Sequence, residues 1–191
     1  MNILTRINWI DILCVILLFR ISYIAYKRGF SAEIFKFAGT VCALFFSLHY
    51  YYSVAQALIT RITFVKIPLE TARFFTFIFC AVLGYLAFVL LRFIFSRFIH
   101  MEATPQFNNW GGLSIGILRG VLFLGLLFYV FCLSPLPYFS KSVKDSLTGK
   151  KMVQVSVNAY SGMWQGILSK FLTKDKLNED VLTITDWLNK K

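Results

Sequence analysis

The sequence predicts an all-α membrane protein, with four transmembrane helices plus a C-terminal amphipathic helical tail. The first observation is composition. Of the 191 residues, 58% are hydrophobic and 15% are charged, whereas soluble domains are nearer half apolar and a quarter charged. The second is pattern, because the apolar residues form four runs long enough to cross the roughly 30 Å hydrocarbon core of a bilayer. One aqueous core cannot bury this much apolar surface, so the predicted solvent is lipid.

The four predicted spans make up a membrane domain over residues 1–135. Each run is apolar on all sides apart from isolated polar residues, which is typical of a helix in lipid. The predicted spans are about 9–27, 34–52, 74–96 and 112–133.

The links between these spans predict how the helices are arranged. Residues 27–33, "KRGFSAE", form a very short link, so we expect the first two helices to form an antiparallel hairpin. Residues 53–73 mix apolar and polar side chains around Pro68, which favours a segment lying partly in the membrane interface. The fourth helix is expected to end at "SPLP", residues 134–137, because proline lacks an N–H and disfavours helix at the residue before it.

Residues 136–191 are predicted to be a polar linker followed by an amphipathic helical tail. Apolar residues recur at three- and four-residue steps over about 153–173, which indicates one apolar helix face. A last short helix is expected around Leu182 and Trp187. The pattern is compatible with a helix that lies on the membrane surface and with one that packs under the bundle.

Charge and cysteine usage argue against several classes of function. The net charge of +11 is spread along both parts of the chain, which indicates contact with anionic lipid headgroups rather than with nucleic acid. The four cysteines lie in separate apolar runs without Cys/His spacing, so neither a metal site nor a disulfide framework is indicated. The sequence contains no phosphate loop, nucleophile–base pair or carboxylate dyad, so we expect no cofactor and no enzymatic activity. Counting Lys and Arg on the two sides favours cytoplasmic termini.

Arg119 is the sharpest of three charges expected at membrane depth, which are Asp11, Arg20 and Arg119. Only thirteen residues run from Val121 to Leu133, or about 20 Å of helix, which does not cross the core. The helix must therefore extend back to about Gly112, which places Arg119 about 10 Å inside. A charge at membrane depth costs about 2.5–3.5 kcal/mol and marks a functional candidate. Arg119 is expected to snorkel, to pair with a carboxylate, or to act on a passing solute.

Asp11 and Arg20 are the other two charges in a span, and they lie nine positions apart in the first helix. At about 100° per residue they fall on opposite faces and cannot pair with each other. Asp11 is near the helix start, where it is either hydrated or begins the helix at the positive end of its dipole. Arg20 is deeper and is expected to face the bundle or to snorkel along the interface, with an acid from another helix or another chain, a backbone carbonyl or a lipid phosphate as its partner.

Gly112, Gly116 and Gly120 recur every four residues and form one face of the fourth helix. Small residues at this spacing let two helices approach closely in a membrane. The face is expected to pack against the first or second helix, to join two copies of the chain, or to loosen a gating helix.

Three stretches together resemble a known family. They are Asp11 in the first span, "RGFSAE" with Arg28, Gly29 and Glu33, and "GLSIGILRGVLFL" over residues 112–124. They resemble the CvpA family, named for a bacterial colicin V production protein, over roughly residues 8–135. Known members are inner-membrane proteins with four spans. The resemblance implies a role in production or export of a peptide toxin, or more broadly in envelope homeostasis, and implies no enzymatic activity.

The sequence also departs from that family, which often has an Asp-Arg pair where this chain has Asn108 and Asn109. Arg20 is not expected from the family either, and the tail after Pro135 finds no clear match. Our hypothesis is a non-enzymatic scaffold or accessory factor in the lipid bilayer. It would pack with itself or with other membrane proteins through the glycine face. The alternative is a small channel or transporter that uses the intramembrane charges.

Overall fold

The structure is a computed structural model that describes residues 8–61, 68–95, 105–171 and 175–190. All regular secondary structure in these ranges is helical. After α6 the chain continues through a π-helical turn, Trp164–Leu168, and a short helical segment, Ser169–Phe171. The helices are α1 Trp9–Arg28, α2 Phe30–Arg61, α3 Leu69–Phe95, α4 Pro105–Leu133, α5 Pro137–Asp145, α6 Gly149–Met163 and α7 Glu179–Asn189.

Helices α1 to α4 each contain a stretch long and apolar enough to cross a membrane. This confirms the predicted all-α fold with four candidate spans and further helices in the C-terminal part. The bounds of two helices differ from those predicted. Helix α2 has 32 residues and continues to Arg61, so the first half of the predicted interfacial link is helix. Helix α4 begins at Pro105, because proline is well suited to the first turn of a helix, and it ends at Leu133 before the two prolines.

Several predicted positions lie outside the described residues. These are residue 96 at the end of the third span, residues 62–67 and 100–104 of the links, and residues 172–173 of the tail helix.

The packing of α1 corrects the predicted hairpin. Gly29 alone separates α1 from α2, at φ 81, a left-handed value that glycine adopts without steric penalty. The chain turns so sharply there that α1 leaves α2 and lies along α4 instead. Helix α2 is the centre of the bundle and packs on α3 and α4. Helix α1 therefore does not pack on its neighbour in sequence, α2. It packs on α4, because the glycines of α4 allow a closer approach.

The bundle has two ends. We call the end with the α1–α2 link and the start of α4 the junction end, and the end with the start of α1 and the tail the tail end. Helix α6 lies across the tail end, from Ile10 of α1 over Gly125 of α4 to His49 of α2. Val153 and Val157 on α6 are buried in the main core. Of the two placements left open for the tail helix, the structure therefore has the one that packs on the bundle.

The predicted polar linker after Pro137 is wrong, because this segment is α5 and the start of α6. Helix α5 has one buried side that includes Val143. On its other side Tyr138 stacks on Trp9 of α1, with the rings 3° from parallel. The apolar residues of this segment are too few to indicate a helix by themselves, and the contacts with α1 stabilise it.

Candidate functional site

A buried ion cluster joins α2 to α4 near the junction end. Glu33 lies in the first turn of α2, and its side chain is 0% exposed. Its carboxylate is 2.9 Å from an Nη atom of Arg119 and also accepts a hydrogen bond from Lys36. The first turn of a helix favours a negative charge. Long helical side chains point toward the N-terminus of their helix, which brings the guanidinium of Arg119 back to the junction end. Of the roles considered for Arg119, the structure shows pairing with a carboxylate.

This cluster has more positive than negative charge. One carboxylate, Glu33, faces two cations, Lys36 and Arg119, so the three groups carry a net charge of +1. The Nε atom of Arg119 is buried and has no hydrogen-bond partner within the described ranges. Lys36 had no predicted role, although its position three residues after Glu33 places the two on one helix face.

The glycine face of α4 packs against α1. Gly112, Gly116 and Gly120 are all buried. A Cβ atom added at Gly112 would lie 2.7 Å from the carbonyl oxygen of Ala25, and one added at Gly116 would overlap the Ala25 side chain. At Gly120 it would lie 2.9 Å from a methyl group of Leu18. Of the expectations for this face, the structure shows packing against α1, the first helix.

Two of the three stretches that resemble the CvpA family, residues 28–33 and 112–124, meet at the junction end. The side chain of Asn108 in α4 lies directly over Gly29, where an added Cβ atom would be 2.5 Å from the Asn108 Cγ. Its Oδ1 accepts a long hydrogen bond, 3.4 Å, from the backbone N–H of Ser31. A neutral amide therefore contacts the α1–α2 link. Arg28 precedes this link and is exposed.

Asp11 lies at the opposite end and fixes the start of α6. It is buried, and its carboxylate accepts hydrogen bonds from the backbone N–H of Thr148 at 2.8 Å and from the Thr148 hydroxyl at 2.7 Å. It also accepts from the backbone N–H of Asn8 at 3.0 Å, which completes a capping box at the start of α1. Asp11 thus begins its own helix and holds a second one.

Arg20 lies on the opposite face of α1 from Asp11 and is exposed. Its neighbour Phe19 is 74% exposed, and Ile16 and Tyr23 continue the same apolar surface. In the part of the chain that the structure describes, Arg20 has no hydrogen bond and no ion pair. Of the three predicted intramembrane charges, Asp11 has hydrogen-bond donors, Arg119 has a carboxylate partner, and Arg20 has neither among the described residues.

A polar cluster at the tail end was not predicted. The Tyr51 hydroxyl of α2 donates to the carboxylate of Asp180 in α7 at 2.5 Å and lies 3.0 Å from the Tyr129 hydroxyl of α4. Arg73 of α3 lies 3.5 Å from the same carboxylate. Four helices therefore meet at Asp180. No local signal in the sequence connects Tyr51 to an acid 129 positions away.

Nearby, the Tyr160 hydroxyl of α6 lies 2.9 Å from Nδ1 of His49 and accepts a hydrogen bond from the backbone N–H of Asn178. Burial raises the pKa of the Tyr160 hydroxyl, so it stays protonated near neutral pH. This contact ties the crossing helix to α2 and to the residue that caps α7.

A cleft of about 560 Å³ opens between α3 and α4, with α2 as its floor. We call it the α3–α4 cleft. Its wall is polar toward the junction end and apolar toward the tail end. The polar positions are Thr40, Tyr85 and Arg119, and the apolar ones include Phe77, Leu126 and Val130.

Comparison with known proteins agrees with these motifs. The family model described as colicin V production protein matches residues 10–157. The match extends beyond the resemblance at residues 8–135 and includes α5 and the first half of α6, which explains why Asp11 and Thr148 belong to one unit. No curated protein and no solved structure matched the chain. Among the described residues, no group of three or more His, Cys, Asp or Glu side chains could hold a metal ion. The chain belongs to the colicin V production protein family.

Proposed function

We propose that this protein is a non-enzymatic scaffold or accessory factor of the bacterial inner membrane. It supports production or export of a peptide toxin, and envelope homeostasis more broadly. The description of its family supports the toxin role. Four helices long enough to cross a membrane support a multi-pass protein with both termini on one side. The charge bias favours the cytoplasm for that side, which a reporter fused to the C-terminus would test.

The observation that carries the scaffold role is the unpaired arginine on the outer face of α1. Arg20 lies eight residues before Arg28 and eleven after Trp9, so it is about 12 Å or more from either end of α1. A charge at that depth costs about 2.5–3.5 kcal/mol in lipid. A carboxylate on a neighbouring membrane helix would offset this cost. We therefore assign the outer face of α1 to a partner protein.

The partner is a different protein rather than a second copy. Within the described spans the carboxylates are Asp11, Glu33 and Glu70. Asp11 is used at α6, and Glu33 is used by Arg119 and Lys36. Glu70 lies at the tail end, in the first turn of α3, and not at the depth of Arg20. The partner is thus a membrane helix with an Asp or Glu near its middle.

The channel alternative has weaker support. A conducting path would need the intramembrane charges to face one passage. Asp11 points to α6, Arg119 points to Glu33, and Arg20 lies on the outer surface. These three charges serve three different contacts, which favours the scaffold.

The test combines toxin release with crosslinking in the membrane. Full-length variants are expressed in cells that lack the native gene, with a photo-crosslinking residue at Phe19. We expect a crosslinked membrane protein that has an Asp or Glu inside a transmembrane helix. We expect Arg20→Leu to reduce the crosslink and toxin release at least fivefold, and Arg20→Lys to retain both. Changing the partner's Asp or Glu to Arg should restore the crosslink and toxin release in the Arg20→Asp variant.

The matched control is a crosslinker at Phe79, which is 58% exposed on α3 and far from Arg20 in sequence. It should give no such product. A crosslink that persists in Arg20→Leu, or a product that is a second copy of this chain, would count against the proposal. Normal toxin release in cells without the gene would refute the toxin role.

A further inference from the structure

The α3–α4 cleft has the shape and polarity of a site for a molecule with a charged head and a long apolar tail. Arg119 lines one end and Val130 the other, eleven residues along α4. That separation is about 16 Å of helix, close to half the roughly 30 Å hydrocarbon core. An acyl chain of one leaflet has the same reach. The volume of about 560 Å³ also lies within the range of ligand pockets.

The sides of the cleft are open to lipid. Val82 and Leu86 of α3 and Phe123 of α4 line it, and each is about half exposed. Helix α3 packs on α2 much more than on α4, which leaves the gap between α3 and α4. A chain from the bilayer can therefore enter sideways without opening the bundle.

The positive charge at the polar end of the α3–α4 cleft favours one kind of lipid headgroup. Glu33 has two cationic neighbours, Lys36 and Arg119, and its single negative charge neutralises only one of them. The cluster therefore leaves a net positive charge beside the cleft. Arg92 of α3 lies over the ring of Phe35 on α2, one position before Lys36, and adds a further cation at the junction end. Positive groups at this depth favour the phosphate of an anionic lipid.

We propose that the α3–α4 cleft binds one acyl chain of an anionic phospholipid, with its phosphate against Lys36 and Arg119. The lipid belongs to the leaflet at the junction end. It neutralises the ion cluster and fills the gap between α3 and α4. This proposal is independent of the scaffold role, which rests on α1.

The test measures lipid binding to the purified full-length protein by native mass spectrometry. The probes are phosphatidylglycerol and phosphatidylcholine with identical acyl chains. We expect phosphatidylglycerol to bind at one per chain and at least fivefold more tightly. Lys36→Gln keeps the Glu33–Arg119 pair and removes the excess charge. It should reduce the preference about fivefold, since one basic group near a membrane surface contributes about 1 kcal/mol.

Two alanine-to-phenylalanine substitutions on α3 distinguish lipid binding in the cleft from lipid binding on the general surface of the protein. Ala81→Phe fills the cleft and should weaken binding at least tenfold, whereas Ala87→Phe on the exposed surface should leave it unchanged. If Ala81→Phe does not fold, Phe123→Trp gives a second readout. Its fluorescence should be quenched by brominated phosphatidylglycerol and not by the brominated choline lipid.

Four results would overturn the proposal. The first is equal binding of the two lipids, and the second is binding that Ala81→Phe does not affect. The third is displacement by inorganic phosphate, which would show a site for the phosphate without the chain. The fourth is a disulfide between two copies carrying Val82→Cys, which would assign the cleft to a second copy. Loss of lipid binding with normal Phe19 crosslinking would separate this site from the proposed partner surface.

Discussion

Glu33 and Arg119 illustrate how a long apolar helix can hold a charge by pairing it with a carboxylate on another helix. Each group is taken out of water, and the cost of that burial is repaid only if the partner is present. Arg119 lies about 10 Å along its helix from Gly112, yet its guanidinium reaches a carboxylate in the first turn of α2. The pair joins two helices that are far apart in sequence.

Replacing Glu33 should lower the free energy of unfolding more than replacing Arg119. Glu33→Gln leaves Lys36 and Arg119 without a carboxylate, so we expect a loss of about 3–5 kcal/mol in unfolding free energy. Arg119→Met leaves the Glu33–Lys36 pair intact and should cost clearly less. Unfolding in detergent measures both, and the double variant should be less destabilised than the sum of the two. Equal single losses with strict additivity would show that the cluster does not act as a unit.

At the scale of the helices, α1 and α4 are held by close approach rather than by interlocking large side chains. Lipid tails are as apolar as leucine, so helices in a membrane gain from direct packing and not from leaving water. The glycines of α4 allow that packing along the second half of α1, from Leu18 to Ala25. Gly125 does the same for α6, because an added Cβ atom there would lie 2.5 Å from the carbonyl oxygen of Met152.

The same substitution should have opposite effects at two helical glycines. Gly116→Ala places a methyl group on Ala25 and should destabilise the α1–α4 contact by about 1–3 kcal/mol. Gly162→Ala in α6 meets no atom within 4 Å and should stabilise by about 0.5–1 kcal/mol through helix propensity. Thermal unfolding of the two variants in the same detergent checks this. A neutral Gly116→Ala would mean that α1 does not lie on this face.

At the scale of the whole molecule, the tail is part of the membrane bundle. Helix α6 adds buried valines to the core, Asp11 caps it, and α7 is held by Asp180. The family match reaches residue 157 and so includes half of α6. The boundary drawn at residue 135 from composition marks where the spans end rather than where the packed unit ends.

Tyr51→Phe should release α7 while leaving the four spans packed. The change removes the hydroxyl that bonds both Asp180 and Tyr129, and α7 holds few other polar contacts to the spans. We expect amide exchange in α7 to speed up at least tenfold, as for a locally opening segment, with no change in α1. Tyr138→Phe removes a hydroxyl from an exposed ring of α5 and is the control. Exchange that rises equally in all helices would indicate global loss of stability instead.

The sequence predicted the parts of the fold that depend on local chemistry. Apolar runs of sufficient length gave four spans, because the hydrocarbon thickness sets a minimum helix length. The prolines after Leu133 marked the end of α4. The spacing of the glycines in residues 112–124 predicted a packing face, and the length of the span predicted that Arg119 lies at membrane depth.

The sequence could not predict which helices and side chains contact one another, because these contacts depend on which helix faces meet in the fold. The short link at residues 27–33 suggested that α1 packs on α2, but α1 lies on α4, where three glycines allow closer contact. Glu33 and Lys36 were both visible in the sequence, and only the packing of α2 on α4 brought them to Arg119. The tail helix had two placements with equal apolar pattern, and Asp11 with Ser156 and Tyr160 decided between them. The sequence by itself determined the solvent, the number of spans and the charges in the membrane, since these follow from transfer energies of single residues. Only the tertiary structure decided that Arg119 pairs with Glu33, that Asp11 accepts hydrogen bonds from Thr148 and that Arg20 has no described partner, because these contacts depend on the distances between side chains.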